Sequence, residues 1–131
     1  ALCVGLGEAC DDLKKNQIQY YADFKKLKSV MLSELIKSKI NFEINGDVSS
    51  RILNNLNIRI KNKEALALFN QMPHIAMSTG SACSSGTITR SHVLTALKLN
   101  DQQIDESFRI SFGRETNFDE INSLIAELKS L

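Results

Sequence analysis

Tyr20, Phe24, Leu27, Met31 and Leu35 recur at spacings of three and four, and no other feature of the chain restricts its fold so strongly. Such spacing gathers apolar side chains on one side of a helix. The first third, residues 2–39, is therefore predicted as one long helix, with Lys14, Lys15, Lys25, Lys26 and Glu34 mostly on its other faces. Gly5 and Gly7 weaken its beginning, where bending or fraying is expected. An apolar stripe of this length needs a surface to cover it, and the remainder of the chain supplies one by changing period.

After Lys39 the pattern shifts to two. "INFEI" followed by "NGD" reads as a short strand closed by an Asn45-Gly46 turn. In "NLNIRI", Leu56, Ile58 and Ile60 face one way and Asn57 and Arg59 the other. "NKEALALFNQM" is a short helix stopped by Pro73, the only proline, and "HIAMS" is a strand candidate. Ser91 is placed to cap a helix over "SHVLTALKL", and Asn100 with Gln103 forms a capping pair for "DQQIDES". "FRISF" alternates again, and Phe118, Ile121, Leu124, Ile125 and Leu128 give a closing helix one apolar face. The predicted fold is α+β: a small, mostly antiparallel sheet with helices packed on one face, preceded by a long helix.

With 131 residues, 43% apolar and 24% charged, the chain suits a single globular domain, 1–131, with a leading helix over 1–39 and a body over 40–131. A net charge of +1 gives no footprint for nucleic acid or an anionic membrane. Three cysteines in no framework spacing favour reduced thiols and a cytoplasmic location. No apolar run reaches membrane length and no signal peptide is visible. The opening "ALCVGLGEACDDL" lacks an initiating methionine, which suggests a trimmed or partial chain.

The candidate reactive group is Cys83, set within "STGSACSSG". A cysteine kept for packing sits among large apolar residues, whereas small residues on both sides suit a thiol that must be reached or must itself reach. Cys3 and Cys10, seven apart on the first helix, are expected to be packing residues and make no recognised metal site. Arg109 projects from the polar side of "FRISF", where its planar fork suits a carboxylate or phosphate; a surface arginine paired with an acid is the simpler reading of the residue alone. Arg114 is expected to be structural, near a helix start; His92 is read as a surface or capping residue rather than a catalytic base for Cys83, and His74 carries less signal still. "GLGEAC" lacks the strand a dinucleotide fingerprint needs, and "SHVLTALKLNDQQID" lacks the basic second helix of a DNA reader.

From Ser78 onward, "STGSACSSG…SHVLTALKLND…SFRISFGRETNFDEI" closely resembles the C-terminal region of cysteine desulfurases of the NifS/IscS type, which are fold-type I pyridoxal-phosphate enzymes. The similarity extends more loosely back through "NLNI", "NGD" and "VGLGEA". It implies an enzyme that takes sulfur from L-cysteine, leaves L-alanine and carries the sulfur as a persulfide on Cys83, for delivery to an iron–sulfur scaffold or another sulfur-acceptor protein. It also implies that Arg109 holds the substrate carboxylate. Pyridoxal 5'-phosphate is expected in the complete homodimeric enzyme. This chain alone should bind no cofactor tightly and release no sulfur, because the lysine, histidine and aspartate motifs of the family's large domain are not found in it. Leu53-Asn54 and Arg90 stand where the family usually has proline, which touches loop rigidity and partner choice. The competing expectation is a stand-alone sulfur carrier or scaffold-docking module. A generic redox thiol protein is a more distant one, since no resolving cysteine lies near Cys83.

Overall fold

The computed structural model describes residues 1–79 and 90–130. Helix α1 spans Leu2–Ser38 and is helical through both glycines; it stops where Lys39 turns left-handed at φ 61° and returns its N–H to the Ile36 carbonyl. Strands β1 (Phe42–Ile44), β2 (Asn55–Ile60) and β3 (Ser107–Ser111) form one antiparallel sheet in the order β1-β2-β3. Helices α2 (Ala65–Gln71), α3 (His92–Ala96), α4 (Asp101–Asp105) and α5 (Phe118–Ser130) complete the described structure.

The period-two segments sort as their residues dictate. Leu56, Ile58 and Ile60 of β2 and Phe108 and Ile110 of β3 are buried against Leu27, Met31 and Leu35 of α1, Leu68 of α2 and Ile121 and Leu124 of α5. Phe108 has no exposed surface and meets Phe69 edge to face, ring centres 6.1 Å apart. Burying a side chain of that size contributes about 1.5–3 kcal/mol. The opposite face of the sheet is polar, and with α3 it lines a cleft. Ser91 caps α3 by accepting from the Leu94 N–H, and Asn100 with Gln103 makes the expected capping box on α4.

Three expectations are corrected. "HIAMS" forms no strand: Ser78 alone makes an isolated bridge, to Arg109 on the free edge of β3, because the turn after Pro73 leaves only the end of that segment alongside the sheet. Helix α2 begins at Ala65 rather than at Asn62, whose positive φ of 64° breaks the helix there. Cys3 and Cys10 are exposed free thiols, not packing residues, because α1 buries side chains only from Leu27 onward. No helix among the described residues is long and apolar enough to cross a membrane.

Candidate functional site

Arg109 stands between two inward-facing core residues, Phe108 and Ile110, so strand alternation sends its side chain to the polar face. Its backbone is held from the sheet edge: the Arg109 N–H donates to the Ser78 carbonyl at 2.6 Å, and the Ser78 N–H donates to the Arg109 carbonyl at 3.3 Å. Both polar backbone groups of Arg109 are thereby turned away from β2. Its cross-strand neighbour Asn57 likewise turns its carbonyl toward the β1 side, accepting from the Asn45 N–H at 3.0 Å. Asn57 and Arg109 are therefore a non-hydrogen-bonded pair, the kind in which facing side chains come closest, with Cα atoms about 4.5 Å apart.

The five arginines of the chain are not used alike. Arg51 donates to the Asn45 and Asp47 carbonyls at 2.6 and 2.9 Å, which closes the turn around Gly46. Arg59 bridges Glu43 and the buried Glu106, Arg90 faces Asp101 and Asp105, and Arg114 pairs with Asp12. The Arg109 guanidinium alone makes no hydrogen bond or ion pair among the described residues. It opens on a cleft of about 420 Å³ whose polar lining includes Asn45, Arg51, Asn55, Asn57 and Ser91. Asp47, the acid at this cleft, is engaged by Ser49, and the hydrogen bond from the Ser49 hydroxyl holds its carboxyl below the usual range. A planar cation with no acid paired to it among the described residues, flanked by amides and a hydroxyl, has the chemistry to receive a carboxylate or phosphate.

Beneath the cleft lies a connected polar network. Asn45 is 5% exposed and donates from Nδ2 to Asn57 Oδ1 at 2.6 Å and to Ser107 Oγ at 2.8 Å; Ser107 in turn donates to the Gln103 carbonyl at 2.5 Å. No buried side-chain nitrogen or oxygen among the described residues lacks a partner. Sequence reading singled out Asn45 only as a turn residue before Gly46, and Ser107 not at all. Their role depends on strand register, and the one visible signal was that Asn57 shares the polar face of its strand.

The remaining candidates fall elsewhere. Cys83 lies outside the described residues. His74 contacts Glu127 of α5 at 2.5 Å, and His92 is exposed at the start of α3, with no side-chain hydrogen bond or ion pair among the described residues. Arg114 is structural, as expected, though it grips α1 rather than the start of α5. Among the described residues no group of His, Cys, Asp and Glu could hold a metal ion, and no lysine lines the Arg109 cleft.

Residues 1–124 match the family model described as aminotransferase class-V. The cysteine desulfurase IscS of Neisseria meningitidis is 37% identical over 127 residues, 97% of this chain and 31% of the relative. That of Vibrio cholerae is 39% identical over 122 residues, 93% of this chain and 30% of the relative. The chain thus spans about a third of the length of these relatives. Among solved structures, a NifS-like protein superposes with a TM-score of 0.80 at 19% identity over 97% of this chain and 32% of its own. The NifS-like protein from Rickettsia africae gives 0.72 at 25% identity, covering 92% of this chain and 30% of its own. With the family match running through α1, the sheet and most of α5, this chain belongs to the aminotransferase class-V family.

Proposed function

We propose that this chain is the C-terminal part of a cysteine desulfurase, a single domain that binds the substrate carboxylate and carries the sulfur-accepting thiol. The observation that carries this reading is the Arg109 guanidinium, without a partner among the described residues, fixed on a strand and opening on a polar cleft. Its fork holds the α-carboxylate of L-cysteine and sets the direction in which the substrate sulfur points.

Cys83 lies five residues along the chain from Ser78, whose backbone is bonded to Arg109. Five residues reach at most about 18 Å when fully extended, so the tether keeps the thiol in the neighbourhood of the bound carboxylate. The Cys83 thiolate takes the sulfur atom of L-cysteine, which leaves as L-alanine, and becomes a persulfide that a sulfur-acceptor protein, such as an iron–sulfur scaffold, then discharges.

Pyridoxal 5'-phosphate is held through a lysine imine in enzymes that use it. The Arg109 cleft has no lysine, so this cleft does not fit that group. Its site is assigned to the remainder of the enzyme, in a cytoplasmic homodimer.

The test is Cys83→Ser in the full-length protein supplied with L-cysteine. Loss of both the persulfide and sulfur transfer is expected while the fold is retained. A persulfide still formed on the variant would overturn the reading.

A further inference from the structure

We infer that Asn57 is a second donor to the substrate carboxylate, aimed by Asn45 and working beside Arg109; this rests on the carboxylate-binding reading above. The amide of Asn57 has two ends, and the network fixes which is which. Ser107 Oγ spends its proton on the Gln103 carbonyl, so its contact with Asn45 requires Asn45 to donate. The same Asn45 Nδ2 therefore also donates to Asn57, whose bonded end is Oδ1. Nδ2 of Asn57 is the other end.

That nitrogen finds no partner among the described residues, yet no buried side-chain nitrogen there is left unsatisfied. Asn57 Nδ2 therefore reaches solvent, and Asn57 lines the same cleft as Arg109. The non-hydrogen-bonded pairing of Asn57 with Arg109 brings the two donors side by side on one face. A carboxylate has two oxygens and about four acceptor sites, enough to accept the guanidinium fork and the amide together. The amide adds no charge, so it raises selectivity for a planar carboxylate without attracting cations' counterions generally. Asn45, 5% exposed in the wall of the cleft and bonded to Asn57, acts through that amide and is a positioning residue.

The experiment compares Asn57→Asp and Asn57→Ala in the full-length enzyme. The aspartate keeps an acceptor for Asn45 but sets a negative charge against the substrate carboxylate; the alanine only deletes the donor. A binding role predicts that KM for L-cysteine rises about tenfold or more in N57D and several-fold in N57A, with kcat changed far less. A merely structural role predicts the reverse order, N57A worse than N57D, and that order would overturn the inference. So would a KM in N57D equal to that of the wild type. If the wild-type protein itself releases no sulfur, the activity reading fails instead. Equilibrium binding of L-alanine then decides the inference alone: weaker binding to N57D supports it, and unchanged binding refutes it. Should N57D not fold, N57A is compared for L-alanine and for ethylamine, which lacks the carboxylate. Weakening confined to L-alanine supports the inference, and equal weakening of both, or none, refutes it.

Discussion

Asp12 and Arg114 lie 102 residues apart in sequence, and the guanidinium Nη1 donates to the carboxylate at 2.6 Å. Tyr20 completes the clasp: its hydroxyl donates to both Asp12 oxygens at 2.9 Å, and its ring lies under the Arg114 guanidinium, 5.6 Å from the ring centre. These contacts tie the upstream half of α1, which buries nothing of its own, to the turn that follows the Arg109 strand.

The clasp has a defined response to acid. The Tyr20 hydrogen bond, then that from Asn16, and the Arg114 charge hold the Asp12 carboxyl below its ordinary value of 3.8. A carboxylate lowered on folding stabilises the folded state fully above the ordinary value, and that stabilisation is lost as pH falls through the lowered one. Asp12→Asn should therefore melt below the wild type by a constant margin from about pH 7 to about pH 5, and the margin should close in stronger acid. Thermal melts of both proteins across this range check it; a margin that widens below pH 4 would contradict the assignment.

At Arg109 the fork should matter more than the charge. Arg109→Lys keeps a cation but loses the paired planar donors, so KM for L-cysteine is expected to rise about tenfold, and about a hundredfold in Arg109→Ala. Cofactor binding should change little in either. Steady-state kinetics and a cofactor titration on the full-length enzyme separate the two effects, and a KM unmoved in both variants would remove Arg109 from the site.

How far these residues could be seen in advance follows from what each depends on. The α1 stripe, the inward set Leu56, Ile58 and Ile60, and the Asn100–Gln103 box are local patterns, and each is borne out in the structure. Arg109 was legible as a projecting cation because alternation is also local. Its lack of an acid was not, since partners for Arg51, Arg59, Arg90 and Arg114 come from distant segments as well as near ones. Asn57 was legible only as polar. Its neighbour and its orientation depend on the β2–β3 register and on Ser107, and a single sequence does not encode register explicitly. Cys3 and Cys10 misled because their helical face looks like a packing face, while burial in α1 starts only at Leu27.

The core side of the sheet gives a stability prediction. Phe108 is fully buried and packs on Phe69, so Phe108→Ala should cost about 3–5 kcal/mol, from lost transfer energy and the cavity left behind. Urea unfolding would show this as a lower midpoint with an unchanged slope. A loss under about 1 kcal/mol would mean that the site can collapse onto the gap.

The polar side is expected to couple stability to substrate affinity. Ser107 has no exposed surface, accepts from Asn45 and donates to the Gln103 carbonyl. Ser107→Ala removes both bonds at once and leaves the Asn45 side-chain amide held by Asn57 alone. Leaving buried polar groups short of a partner costs about 1–3 kcal/mol, so the unfolding midpoint should fall by a corresponding amount. The same substitution frees Asn45 from the constraint that makes it a donor to Asn57, so the Asn57 amide is no longer locked and KM for L-cysteine should rise severalfold. Ser107→Thr, which retains the hydroxyl, should restore the KM more fully than the stability, because its extra methyl enters a filled space. Urea melts and steady-state kinetics on both variants test this pairing. A destabilised Ser107→Ala protein with wild-type KM would show that the network supports the sheet without orienting the amide.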